Sequence, residues 1–144
     1  MKFKFHFVYF LAIVLMSSCV KEQGCTDPNA DNYSSTAEEN DGSCNYEGDV
    51  VFWYGESAAE FLIGDGATTL YFYVDNQVVG SEAANLYWTS APDCGQNSSI
   101  TVTKNLGTGT NRSYEYEVQD QTGWVYWSGV VNFTANTCLQ IELN

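Results

Sequence analysis

The amino-acid sequence predicts an all-β protein, an antiparallel β-sandwich preceded by a small disulfide-closed irregular module and a cleaved signal helix. Three observations predict it. From Asp49 onward, short runs of β-branched and aromatic residues alternate with Gly, Asn, Asp and Pro, the pattern of strands and turns. No stretch in that region sustains a helical period. Four cysteines after residue 24 suit two cross-links in a small extracellular domain.

Residues 1–18 have the layout of an export signal, with Lys2 and Lys4 ahead of ten consecutive apolar or aromatic residues from 7 to 16. That run is too short to cross a bilayer, which takes about 20 residues. Ser17 and Ser18 then lead into Cys19. Leu15-Met16-Ser17-Ser18-Cys19 resembles the bacterial lipobox, with Met16 where the pattern prefers Leu. The resemblance implies cleavage before Cys19, diacylglycerol on its sulfur and a further acyl chain such as palmitate on its amine. Parity agrees, since the mature chain holds five cysteines and lipidation of Cys19 leaves Cys25, Cys44, Cys94 and Cys138 to pair. Of the three connectivities open to them, the local pairing of Cys25 with Cys44 and Cys94 with Cys138 is the natural one.

After the tether of residues 19–23, residues 24–47 are rich in Asp, Asn, Ser, Thr and Glu, so this acidic module cannot bury a core of its own. Residues 48–144 form the sandwich domain. The clearest strand is 69–75, where Leu70, Phe72 and Val74 alternate with Tyr71 and Tyr73. Asp75-Asn76 turns into 77–80, because both tolerate left-handed backbone. Residues 100–103 alternate Ile and Val with Thr, and 114–118 place Tyr114, Tyr116 and Val118 opposite Glu115 and Glu117. Further strands are expected at 50–54, 86–88, 124–127, 130–133 and 138–143, the last with Leu139, Ile141 and Leu143 on one side. Residues 57–63 are the best helical candidate but too short to be stable alone. About eight strands, with four tryptophans for a large core, favour a Greek-key or immunoglobulin/transthyretin-like sandwich over a barrel.

Gly24-Cys25-Thr26-Asp27-Pro28-Asn29-Ala30, Asn32-Tyr33 and Asp41-Gly42-Ser43-Cys44 with Tyr46 resemble a short cysteine-bounded repeat of Bacteroidetes-type surface proteins. This copy has Glu39-Asn40 ahead of Asp41, where a second Asp is common, and it occurs once. The remainder resembles a set of small lipoprotein domains from the same bacteria, through Val51-Phe52-Trp53, Tyr73-Val74-Asp75-Asn76, Ala91-Pro92-Asp93-Cys94-Gly95, Trp127-Ser128-Gly129-Val130 and Cys138-Leu139. These resemblances imply a disulfide-closed extracellular module serving as a calcium-stabilised spacer or display element, a fold and a location; they do not imply catalysis.

All eighteen carboxylates follow Cys19, while Lys21, Lys104 and Arg112 are the only cations there, a mature net charge of −15. Nucleic acid is excluded as a partner, because its binding depends on neutralising phosphates. Attraction to anionic head groups is equally disfavoured, so membrane contact is expected through the lipid alone, with protein or neutral glycan as the other partners. Lys21-Glu22 resembles the charged tag that directs some lipoproteins outward, which points to the bacterial outer membrane and the cell surface.

The only histidine, His6, leaves with the signal, which removes the usual general base and imidazole metal sites. Glu115 and Glu117 share a strand face, as a carboxylate pair of a glycosidase would, and are read as a solvated face. A non-enzymatic envelope role in display, adhesion or structure is therefore expected. Asp27, Asn29 and Asp31 alternate, with Glu38 eleven residues after Asp27 and Asp41 beyond, which resembles the oxygen-ligand spacing of a Ca2+ loop. Asn32 replaces the turn glycine of that pattern. No other cofactor is expected. Tyr71 and Tyr73 form an outward aromatic row suited to the C–H faces of sugars, the basis for an alternative role as a glycan-binding accessory of an uptake system.

Overall fold

The computed structural model describes residues 20–144; the export signal and Cys19 lie outside the described residues. In the acidic module the buried apolar residues are Cys25, Ala30, Cys44 and Tyr46, so its small core is built on the Cys25–Cys44 disulfide. Two residue pairs, β1 (Gln23–Gly24) and β2 (Glu39–Asn40), run parallel beside it. Side chains replace the missing ladder. Asn32 accepts from the Asn45 amide at 2.8 Å and donates to the Ser43 carbonyl at 2.7 Å, so its carboxamide acts as a strand neighbour. The module is bonded to the sandwich through Asn136 Nδ2, which donates to the Asn29 carbonyl at 2.8 Å.

The sandwich has seven strands in two sheets. The three-stranded sheet orders β6 (Ile100–Gly107), β3 (Tyr46–Trp53) and β9 (Cys138–Glu142), and the four-stranded sheet orders β5 (Gln77–Ala83), β4 (Thr69–Val74), β7 (Asn111–Asp120) and β8 (Val125–Thr134). All pairs within the sandwich are antiparallel except β3 with β9, where the first and last strands lie side by side in parallel. Period-two alternation supplies the core between the sheets. Val50 and Phe52 from β3 meet Leu70, Phe72 and Val74 from β4, Val118 from β7, and Val131 and Phe133 from β8. Phe52 bridges the layers, with its ring centroid 6.1 Å from that of Phe72 and 5.2 Å from that of Tyr116.

Val51 is fully buried although it belongs to the opposite face of β3 and stands outside that core cluster. On that face the segment 92–99 is tied to the residues that flank Val51. Gln140 Nε2 donates to the Pro92 carbonyl at 3.0 Å, the Gly95 amide donates to Thr101 Oγ1 at 2.9 Å, and the Cys94–Cys138 disulfide clips the segment to β9. Gln140 and Thr101 are the two residues in register with Val51. Both disulfides therefore follow the local connectivity read from the sequence.

The Asp75-Asn76 turn has φ of 58° and 59°, the left-handed pair that the right-handed twist of a two-residue hairpin requires. On the edge strand β5, Glu82 lies opposite Leu70 and so points inward.

Four expectations are corrected. Residues 57–63 lie within a nine-residue helix, α1 (Glu56–Gly64), because tertiary burial of Ala59 and Leu62 supplies what length alone does not. Its end is a Schellman turn: Ala67 donates to Leu62 and Gly66 to Ile63, with Gly66 at φ +92°. Residues 86–88 are not a strand, since Leu86 and Tyr87 are exposed and the amide of Trp88 instead reaches back to the Tyr54 carbonyl at 3.0 Å. The two short strands around Ser128-Gly129 are one, because the ring of Tyr116 lies over Gly129 where a side chain would stand. Finally, no tryptophan is fully buried; Phe52, Tyr54, Phe72 and Phe133 fill the core, and the indoles lie at or near the surface.

Candidate functional site

One of these indoles, Trp127, lines a cleft of about 550 Å³. One wall is the start of α1, Gly55 to Ala58 with Phe61 a turn further on; the other is Tyr126 and Trp127 of β8, with Glu142 and Asn144 closing the end. Adjacent strand residues normally face opposite ways, yet Tyr126 and Trp127 both line this cleft. A β-bulge explains it. Val118 pairs with Trp127 and the next residue, Gln119, pairs with Val125, so Tyr126 is the extra residue and its direction is reset.

Both rings are fixed from behind. The Tyr126 hydroxyl donates to Asp65 at 2.8 Å, and Trp127 stacks on buried Tyr54 at 6.0 Å while its Nε1 donates to the Asn144 main-chain oxygen at 2.9 Å. Burial, reinforced by the neighbouring Asp65 carboxylate, pushes the Tyr126 phenol up to about 12, so it remains a donor at neutral pH. Phe61 meets Tyr126 edge to face at 6.2 Å and is 62% exposed, a large ring left in solvent at the mouth.

The polar residues of the lining are Glu56, Ser57, Glu142 and Asn144, beside the first turn of α1, whose N–H groups have no side-chain cap. Glu56 is steadied by the Tyr87 hydroxyl at 3.1 Å, and that bond raises the Tyr87 phenol. Lys and Arg are absent from the lining. The two cations of the sandwich, Lys104 and Arg112, are instead gathered at 4.9 and 5.5 Å from the Tyr114 ring centroid. The cleft thus offers stacking faces with both donors and acceptors and no positive side chain.

The residues singled out from sequence are placed elsewhere. Tyr71 and Tyr73 do alternate outward from β4 while Leu70, Phe72 and Val74 are buried, and in register they lie beside Gln119 and Glu117. Glu115 and Glu117 are exposed on β7, Glu117 accepting from Gln119 at 2.9 Å. In the acidic module, Asp27 accepts from the amide and side chain of Asn29 through one oxygen and from the Tyr46 hydroxyl at 2.5 Å through the other. Asp41 accepts from the Ser43 amide at 2.8 Å. These bonds, the Tyr46 hydroxyl first for Asp27 and Ser43 for Asp41, lower both carboxyls below their usual range. Asp31 and Glu38 are exposed, and no group of three or more Asp, Glu, Cys or His side chains gathers at metal-binding distance among the described residues. Asp27, Asn29, Asp31, Glu38 and Asp41 are thus not drawn into one shell.

Sequence reasoning missed Glu56, Phe61, Tyr126, Trp127 and Glu142. Adjacent aromatics at 126 and 127 were no distinct signal, since Tyr71-Phe72-Tyr73 are adjacent too and keep the period of two.

Fold and site together define a disulfide-clipped β-sandwich with an aromatic, acid-lined cleft between α1 and β8. No protein-family model, curated protein or solved structure matches this chain.

Proposed function

We propose that the chain is an exported, lipid-anchored component of the bacterial outer membrane, non-enzymatic, which displays the sandwich for adhesion, binding or structural assembly. The observation that carries this reading is closure of Cys25–Cys44 and Cys94–Cys138. It consumes every cysteine of the body and leaves Cys19, just past the apolar leader, outside both bridges. Disulfides of this kind persist in oxidising compartments. Acylation of Cys19 with several chains gives an anchor worth about 0.8 kcal/mol for each buried methylene.

Labelled palmitate and mass spectrometry of the N-terminal peptide test the anchor. The expected product begins at Cys19 with its amine and sulfur acylated, and Cys19→Ser is expected to abolish labelling. An unacylated N-terminus at any other residue overturns the proposal.

A second reading, a glycan-binding accessory module, is favoured by one observation: the domain leaves aromatic rings at its surface, Tyr71 and Tyr73 on the four-stranded sheet and Phe61, Tyr126 and Trp127 at the cleft. Tryptophan fluorescence titration with neutral oligosaccharides tests it, and silence across a broad panel counts against it.

A further inference from the structure

We infer that the cleft between α1 and β8 is a binding site for a neutral oligosaccharide, and that it, rather than the Tyr71–Tyr73 face, is where this domain recognises sugar. The inference rests on the glycan-binding reading and deepens it by assigning the site and the ligand's charge class.

A sugar ring presents C–H faces and hydroxyls that both donate and accept. The cleft supplies a counterpart to each. Phe61, Tyr126 and Trp127 provide apolar ring surface in contact with solvent. Glu56 and Glu142 accept from hydroxyls, and the uncapped first turn of α1 with Ser57 donates to them. A volume of about 550 Å³ falls within the range of small-molecule sites. It has room for roughly one or two sugar rings.

Charge excludes anionic ligands. Two acidic residues and no Lys or Arg in the lining repel uronic acids, sulfated sugars and phosphorylated ligands. Preorganisation favours the cleft over the sheet face. Tyr126 and Trp127 are held by hydrogen bonds to Asp65 and Asn144 and by stacking on Tyr54, so little rotamer freedom is lost when a ligand arrives. Among the hydrogen bonds of the described residues, neither the Tyr71 nor the Tyr73 hydroxyl is fixed in this way.

The test uses the mature lipidated protein in a polyoxyethylene detergent, which carries neither sugar nor charge. Tryptophan emission is titrated with soluble oligosaccharides of neutral glucans, mannans, xylans and galactans, with oligogalacturonate as an anionic probe and tetramethylammonium as a cationic one. The expected result is a saturable change with at least one neutral oligosaccharide and none with oligogalacturonate. Phe61→Ala is expected to weaken binding at least tenfold with an unchanged melting temperature, since that ring is exposed. Glu142→Gln is expected to weaken it several-fold. Gly55→Phe, which adds a ring in open space at the cleft wall, provides a second blocking variant. Tyr71→Ala with Tyr73→Ala is expected to leave affinity within twofold. Sugar binding that survives Phe61→Ala and Gly55→Phe but fails in the Tyr71–Tyr73 variant overturns the site and keeps the glycan reading. Silence across all neutral sugars, or saturation by tetramethylammonium alone, overturns both.

Discussion

Replacing Cys94 and Cys138 together with Ser should unfold the sandwich far more readily than the loss of two small side chains suggests. The bridge joins residues 44 positions apart. In the chain-entropy treatment, releasing a loop of that length returns about 4 kcal/mol of freedom to the unfolded chain. A domain of this size has only about 5–15 kcal/mol in total. The bridge also ties segment 92–99 to β9, so its loss leaves that segment held by the Gln140–Pro92 and Gly95–Thr101 hydrogen bonds. At roughly 4 °C per kcal/mol, the melting temperature should fall by about 15 °C. The urea m-value should rise, because the uncrosslinked unfolded chain exposes more surface. Thermal and urea unfolding followed by far-UV circular dichroism measure both. The paired control, Cys25→Ser with Cys44→Ser, opens a loop spanning 19 positions in a module with almost no core, so its effect should stay local and move the sandwich transition by only a few degrees. Equal effects of the two pairs, or a fall below about 5 °C for the first, would refute the argument that the long loop closes the sandwich.

Three further outcomes are expected. Gly48→Ala should destabilise by about 1–2 kcal/mol, because its Cβ would sit 2.6 Å from the Thr134 carbonyl oxygen, a backbone atom that cannot swing aside; Gly64→Ala, with open space around it, should instead gain a few tenths of a kcal/mol in chemical denaturation. Burial raises the Glu82 carboxyl from 4.5 to about 7, so the folded state holds a proton that the unfolded state has released. This group's contribution therefore falls as pH rises from 4.5 through about 7, and Glu82→Gln should be increasingly more stable than its parent between pH 5 and pH 8; a pH-independent difference in melting temperature would contradict this. Added Ca2+ should shift the melting temperature by less than about 2 °C, because the oxygens of Asp27 are already bonded to Asn29 and Tyr46 and that of Asp41 to Ser43; saturable calorimetric heat with a clear rise would reverse the expectation.

The sequence by itself determined the features that depend on local chemistry. Alternation at 69–75 determined which side of β4 is buried, Asp75-Asn76 determined the hairpin, and cysteine spacing pointed to the pairing that formed. These were legible because strand period, turn geometry and loop length act over neighbouring residues. Only the tertiary structure decided what depends on distant partners. The helix at Glu56–Gly64 exists because the sandwich buries Ala59 and Leu62, and β9 lies parallel to β3 because the last strand returns beside the first. The indoles stay near the surface because phenyl rings already fill the space between the sheets. Above all, the cleft joins residues from 55 to 144 through a bulge at Tyr126, and a register shift belongs to a pair of strands, so neither strand's own pattern places it.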